Sequence, residues 1–132
     1  MTTAPMAPRV GLEAHMNAHK WALPKVIEEL RGILGARLVA YLGGVKETRA
    51  VTDWINGKRE PGSEAVKQRL RDAYQIAALL AEVEANGVVQ TWFMGMNPQL
   101  DDRAPARLLR DGGPNAATEV LGAARAYIAM AS

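Results

Sequence analysis

Between Ser63 and Glu84 the chain carries Ala65, Val66, Leu70, Ala73, Ile76, Ala77, Leu80 and Val83 at helical spacing, with no glycine or proline among them. At 3.6 residues per turn these positions form one nearly continuous apolar stripe, about six turns long. Ser63 stands where a hydroxyl can cap the first turn. A stripe of this length has to be covered, by the shorter helices of the same chain or by a second copy. The flanking helices look too short to cover all of it, which predicts a homodimer or a higher oligomer.

The other periodic segments are short. Val26, Ile27, Leu30 and Leu34 repeat at one-turn spacing after Trp21, and Pro24 fits only the first turn of such a helix. Residues 36–42 place Leu38, Val39 and Leu42 inward and stop at Gly43-Gly44. Residues 46–56 follow, with Val51, Trp54 and Ile55 inward and Gly57 suited to a left-handed C-cap. After a break at Asn86-Gly87, residues 88–94 present Val88, Val89, Trp92 and Phe93 to the core. A short helix opens at Pro105, and a last one follows Asn115, with Val120, Leu121, Ala124, Tyr127 and Ile128 on one side. No stretch alternates convincingly with period two, so the predicted fold is all-α. Residues 1–20, with Pro5, Pro8, Gly11 and Asn17, read as a loose arm; residues 21–84 form one helical region and 85–132 a second.

The chain has 132 residues and no cysteine, which excludes disulfides, thiolate nucleophiles and cysteine zinc sites. His15 and His19 share a helical spacing but have no carboxylate cluster beside them, so neither a metal nor a cofactor is expected. No Gly-rich phosphate loop or Ser/His/Asp set is evident, and the expectation is a protein that is not an enzyme. Asp101-Asp102 reads as a charged first turn or cap. The first residues lack a basic-plus-apolar signal pattern and no window suits a membrane span, so the expected location is the cytoplasm, away from the membrane. Charge is unevenly spread: residues 46–71 hold seven basic and four acidic side chains, whereas 72–132 hold four basic and seven acidic. A basic middle suits an anionic partner, and an acidic end suits a basic or neutral one.

The pair 36–42 and 46–56 around Gly43-Gly44 has the dimensions of a helix-turn-helix, in which the second helix enters the major groove of DNA. With Val51, Trp54 and Ile55 inward, Lys46, Arg49 and Thr52 fall on the open side. Arg49 can donate two bonds to a guanine edge, Thr52 can meet a thymine methyl or a phosphate, and Thr48 suits the phosphate backbone. Lys58 and Arg59 lie just beyond the helix, where flexible cations meet phosphates. The plainer reading is a helical packing unit with a solvated basic side, since Glu47 and Asp53 stand nearby. The aromatics are scattered at core spacings rather than gathered for base stacking.

The pattern Trp92, Asn97-Pro98, Leu100, Pro105, Leu108-Leu109, Asp111-Gly112 and Val120 resembles the toxin-binding domain of the MbcA/ParS/Xre family of antitoxins. The match spans about residues 88–128. In that family this domain follows an Xre-like helix-turn-helix, and residues 36–61 occupy that place, with Trp54 and Pro61 matching its pattern. The resemblance implies a type II antitoxin that binds a RES-domain toxin, an enzyme that consumes NAD, and represses its own operon by binding operator DNA. It also implies that the last helix and tail, Arg125, Tyr127, Ile128, Met130 and Ser132, cover the toxin's active site. Trp54, Trp92, Asn97, Pro98, Pro105, Leu108 and Gly112 would hold the domain's shape. The alternative is a stand-alone dimeric transcriptional regulator that uses residues 36–61 for DNA and the C-terminal half for dimerisation.

Overall fold

The computed structural model describes residues 11–131, and these form eight α-helices with no strand. Helix α5, Glu64–Ala81, is the axis of the molecule. Ser63 caps it as expected, its Oγ accepting the Val66 N–H at 3.2 Å. Leu70, Ala73, Tyr74, Ile76, Ala77, Leu79 and Leu80 are all buried, which is more of the circumference than one stripe. Helices α1 (Leu12–Lys20), α2 (Leu23–Leu34) and α8 (Ala116–Ala131) enclose it. Each large aliphatic side chain withdrawn from water in this way contributes about 1.5–3 kcal/mol.

That enclosure corrects two expectations. The stripe does not need a second chain, because α1 and α8 supply the cover within one chain. Val83 and Ala65, the outer members of the stripe, are exposed, and α5 ends at Ala81 rather than Glu84. Nor is the arm loose from Leu12 to Lys20. Ala14 and Ala18 of α1 lie against α5, and Arg71 Nη1 donates to the carbonyls of Ala18 and Trp21 at 2.8 and 2.9 Å. These bonds satisfy carbonyls that a helix C-terminus leaves open. At the other end of α1 the Gly11 N–H donates to the Glu82 carboxylate at 3.1 Å. The helix is thus held by small buried residues and tertiary hydrogen bonds, which leave no large apolar stripe in the sequence.

Helix α2 is capped across space: Asn86 Nδ2 donates to the Gly32 carbonyl at 3.2 Å and Gln90 Nε2 to that of Ile33 at 2.9 Å. Both donors belong to α6, Asn86–Met94. Asn86-Gly87 therefore opens α6 instead of standing between helices. Within α6, Val89 and Phe93 are buried, Trp92 is half-buried and Val88, expected inward, faces out.

Helices α3 (Ala36–Leu42) and α4 (Thr48–Ile55) pack on α2 and on each other. Gly57, after α4, has φ +76° and lets the Lys58 N–H reach the Asp53 carbonyl at 2.9 Å, the left-handed stop expected there. Helix α7, Pro105–Asp111, starts on buried Pro105 and packs against α3, α6 and α8. The two regions drawn from the sequence, 21–84 and 85–132, share one hydrophobic core that runs from Ala18 to Ala124.

Candidate functional site

In α4, Ala50, Val51 and Trp54 point into the core while Thr48, Arg49 and Thr52 lie exposed on the opposite side. Lys46, expected within the helix, sits in the turn before it, because α4 begins at Thr48. Lys46, Lys58 and Arg59 are all exposed, so the six residues singled out for nucleic-acid contact are open to solvent, although Arg59 borders a depression shared with Trp54 and Ile27 rather than the face of Arg49 and Thr52. Asp53 is half-buried and Glu47 is exposed at the helix start, so one acid remains near the proposed reading surface.

Packing alone sets the angle of α4. Trp54 is buried, and its indole N–H has no hydrogen-bond acceptor among the described residues. The far edge of its ring lies against Gly43 so closely that a Cβ there would come within 2.5 Å of Cη2. The first glycine of the Gly43-Gly44 turn is thus a contact surface for the anchor of α4 as well as a stop for α3. The end of α3 is further closed by Arg69, whose Nη1 donates to the Leu42 carbonyl at 3.0 Å.

The second constellation is the turn from Asn97 to Arg103. Asn97 is extended, as a residue before proline prefers, and is buried. Its Oδ1 accepts the Gln99 N–H and its carbonyl accepts the Asp102 N–H, both at 2.9 Å. Its own N–H donates to the Arg103 carbonyl at 3.2 Å, closing the loop around the 3-10 turn Pro98–Leu100. Pro98 itself is exposed. Asp101 and Asp102, with φ 56° and 64°, form the left-handed corner of this loop. They are not the first turn of α7, which corrects their expected role; short polar side chains tolerate this conformation better than most.

Around that loop, Leu108 is buried, and Trp92 meets Phe93 edge-on at 5.3 Å between ring centroids. Gly112 follows α7 with its N–H on the Leu108 carbonyl at 2.7 Å, so close that any Cβ would strike Leu108. Of the shape-holding residues named from the sequence, Asn97 and Pro98 lie in this loop and Pro105, Leu108 and Gly112 in or just after α7, whereas Trp92 belongs to α6 and Trp54 anchors α4.

The residues expected to meet a toxin divide. Arg125 and Met130 are exposed, Met130 at 85%. Tyr127 and Ile128 are half-buried and pack against the core, and the Tyr127 hydroxyl donates to Glu84 Oε2 at 2.5 Å. That bond, followed by burial, holds the phenol above its ordinary ionisation range. Ser132 lies outside the described residues.

Two surface depressions were not evident in the sequence. One, of about 380 Å³, lies between α3, α6 and α7, with Leu38, Tyr41, Phe93 and Met94 along it and Arg37 and Arg107 exposed beside them. Its residues come from three helices and share no motif. The other, of about 560 Å³, lies between α5, α7 and α8 and contains both Arg69 and Asp72. Burial raises the Asp72 carboxyl above its usual range, although Gln68 donates to it at 2.9 Å.

No helix among the described residues is long and apolar enough to cross a membrane. Comparison with protein-family models, with curated proteins and with solved structures finds no match to this chain.

Proposed function

We propose that this protein is the antitoxin of a type II toxin–antitoxin pair. It binds a RES-domain, NAD-degrading toxin through its C-terminal region and represses its own operon through α4. The observation that carries the reading is the closed Asn97–Arg103 loop, set against α8 and sharing one core with a helix-turn-helix whose second helix exposes Arg49 and Thr52, with Lys58 and Arg59 exposed just beyond it. The loop closes on Asn97, while Pro105, Leu108 and Gly112 open, bury and end α7, which supports the shape-holding work that the resemblance assigns to them. On α4, the buried Trp54 leaves one side free for a major groove. So few cations make few phosphate contacts, and operator affinity is proposed to require two or more copies acting together.

Neutralisation is proposed to use the exposed end of α8, with Arg125 and Met130 reaching the entrance through which NAD enters the toxin. Aromatic, methionine and arginine side chains are favoured at such contacts. Because Ile128 belongs to the core edge, the part that can be removed without damage begins at residue 129.

Co-expression with a RES-domain enzyme, taken from the neighbouring gene where one encodes it, tests the reading. A stable complex and preserved cellular NAD are expected, and renewed NAD loss on deleting residues 129–132, with the complex retained, assigns the block to the tail. Absence of a complex, together with tight binding to the promoter, favours the stand-alone regulator instead.

A further inference from the structure

We infer that the groove between α3, α6 and α7 seats a segment of the partner protein that offers a bulky apolar side chain flanked by carboxylates. The inference rests on the toxin-binding reading and names the surface on which the partner is held, distinct from the tail that blocks its active site.

The groove's volume, about 380 Å³, is within the range of small concave binding sites, which begin at about 300 Å³. Leu38 and Tyr41 make its floor over the fully buried Phe93, and Met94, 60% exposed, forms a flexible wall able to repack around an occupant. Tyr41 is held in place by Arg110, whose guanidinium lies 4.5 Å from the ring centroid. Arg37 and Arg107 stand exposed beside this floor, and neither has an ion-pair partner among the described residues. No carboxylate lines the groove; Asp102 and Asp111 border the neighbouring depression beyond Arg107. An apolar floor with uncompensated guanidinium groups is complementary to an apolar residue set among acids.

Other occupants fit less well. A nucleic-acid strand would satisfy the arginines, but its bases would find little open ring to stack on, because Phe93 is fully buried and Arg110 covers one face of Tyr41. A second copy presents Val83, exposed between Glu82 and Glu84, yet those carboxylates already accept from the Gly11 N–H and the Tyr127 hydroxyl.

Calorimetric titration of the full chain with a RES-domain toxin of the kind proposed as its partner tests the assignment, with circular dichroism reporting the fold of each variant. Wild type is expected to bind. Arg37→Glu with Arg107→Glu should weaken the complex by roughly thirtyfold or more and remove much of its salt dependence, while Met94→Ala should weaken it by about threefold to tenfold. If wild type and both variants bind equally, the groove is not the seat, although the toxin reading stands. If wild type itself does not bind, the toxin reading fails and the groove assignment fails with it. If the charge reversal leaves toxin binding intact but alters the mass of the free protein or its affinity for operator DNA, the occupant is a second copy or a nucleic acid, and the inference is overturned.

Discussion

The guanidinium of Arg110 stacks over the ring of Tyr41 at 4.5 Å, and in doing so ties α7 to α3 across the two regions recognised in the sequence. A cation over a partly solvated aromatic face gives about 0.5–1 kcal/mol. A double-mutant cycle of Tyr41→Leu and Arg110→Gln, followed by urea unfolding, should return a coupling of that size. Additive effects would show that the two residues contribute independently.

Gly43→Ala should destabilise the protein by about 1–3 kcal/mol, because the new methyl overlaps the Trp54 ring and the close-packed interior cannot yield without cost. The change should also shift Trp54 fluorescence and weaken operator binding, since the ring sets how α4 is presented. Gly44→Ala, where no atom waits within 4 Å, should suffer only from its φ of +76° and leave the Trp54 signal unchanged.

On α4, Arg49→Ala should cost about 1–3 kcal/mol at one operator position and little on unrelated DNA. Lys58→Ala and Arg59→Ala should each weaken binding to every sequence and reduce the salt slope by about 1. Fluorescence anisotropy over a range of salt concentrations separates the two behaviours. Unchanged affinity in an Arg49→Ala, Lys58→Ala protein that remains folded would move DNA contact elsewhere.

Ala18 is fully buried between α1 and α5. Ala18→Leu should therefore lower stability by about 1–3 kcal/mol by overpacking, whereas Met16→Ala, on the exposed side of the same helix, should change it by no more than about 0.5 kcal/mol. Equal and negligible effects in thermal unfolding would mean that α1 is not docked in solution.

Tyr127 provides a pH signature. Its phenol is raised above the usual 10.0, first by the hydrogen bond to Glu84 and then by burial. A raised folded-state value means that the contribution is fully present below the unfolded phenol value and is lost as pH climbs through the folded one. Stability should consequently fall on the alkaline side, and Tyr127→Phe should flatten that limb. Tyrosinate absorbance should show Tyr127 ionising earlier in Glu84→Gln.

The helix termini were the most legible part of the sequence, where a local residue decides. Ser63 caps α5, Gly57 releases α4 and Pro105 opens α7, each through chemistry confined to one turn. Helix α1 was missed because Ala14 and Ala18, the residues it buries, carry too little apolar surface to make a stripe. Its capping donor, Arg71, lies some 50 residues away. The same limit applies to the candidate surfaces. Thr48, Arg49 and Thr52 share one helix, so periodicity places them together, whereas Arg37, Phe93 and Arg107 meet only through tertiary packing. Net charge was also a poor guide: the acidic excess of residues 72–132 does not reach the groove, which is flanked by arginines alone.

The enclosure of α5 by α1, α2 and α8 bears on the order of events in assembly. Because the core is enclosed within one chain, folding need not wait for a neighbour, and any self-association adds a separate stabilisation that grows with concentration. Under the proposed function, association of the described helices with a partner would then be a collision between preformed surfaces.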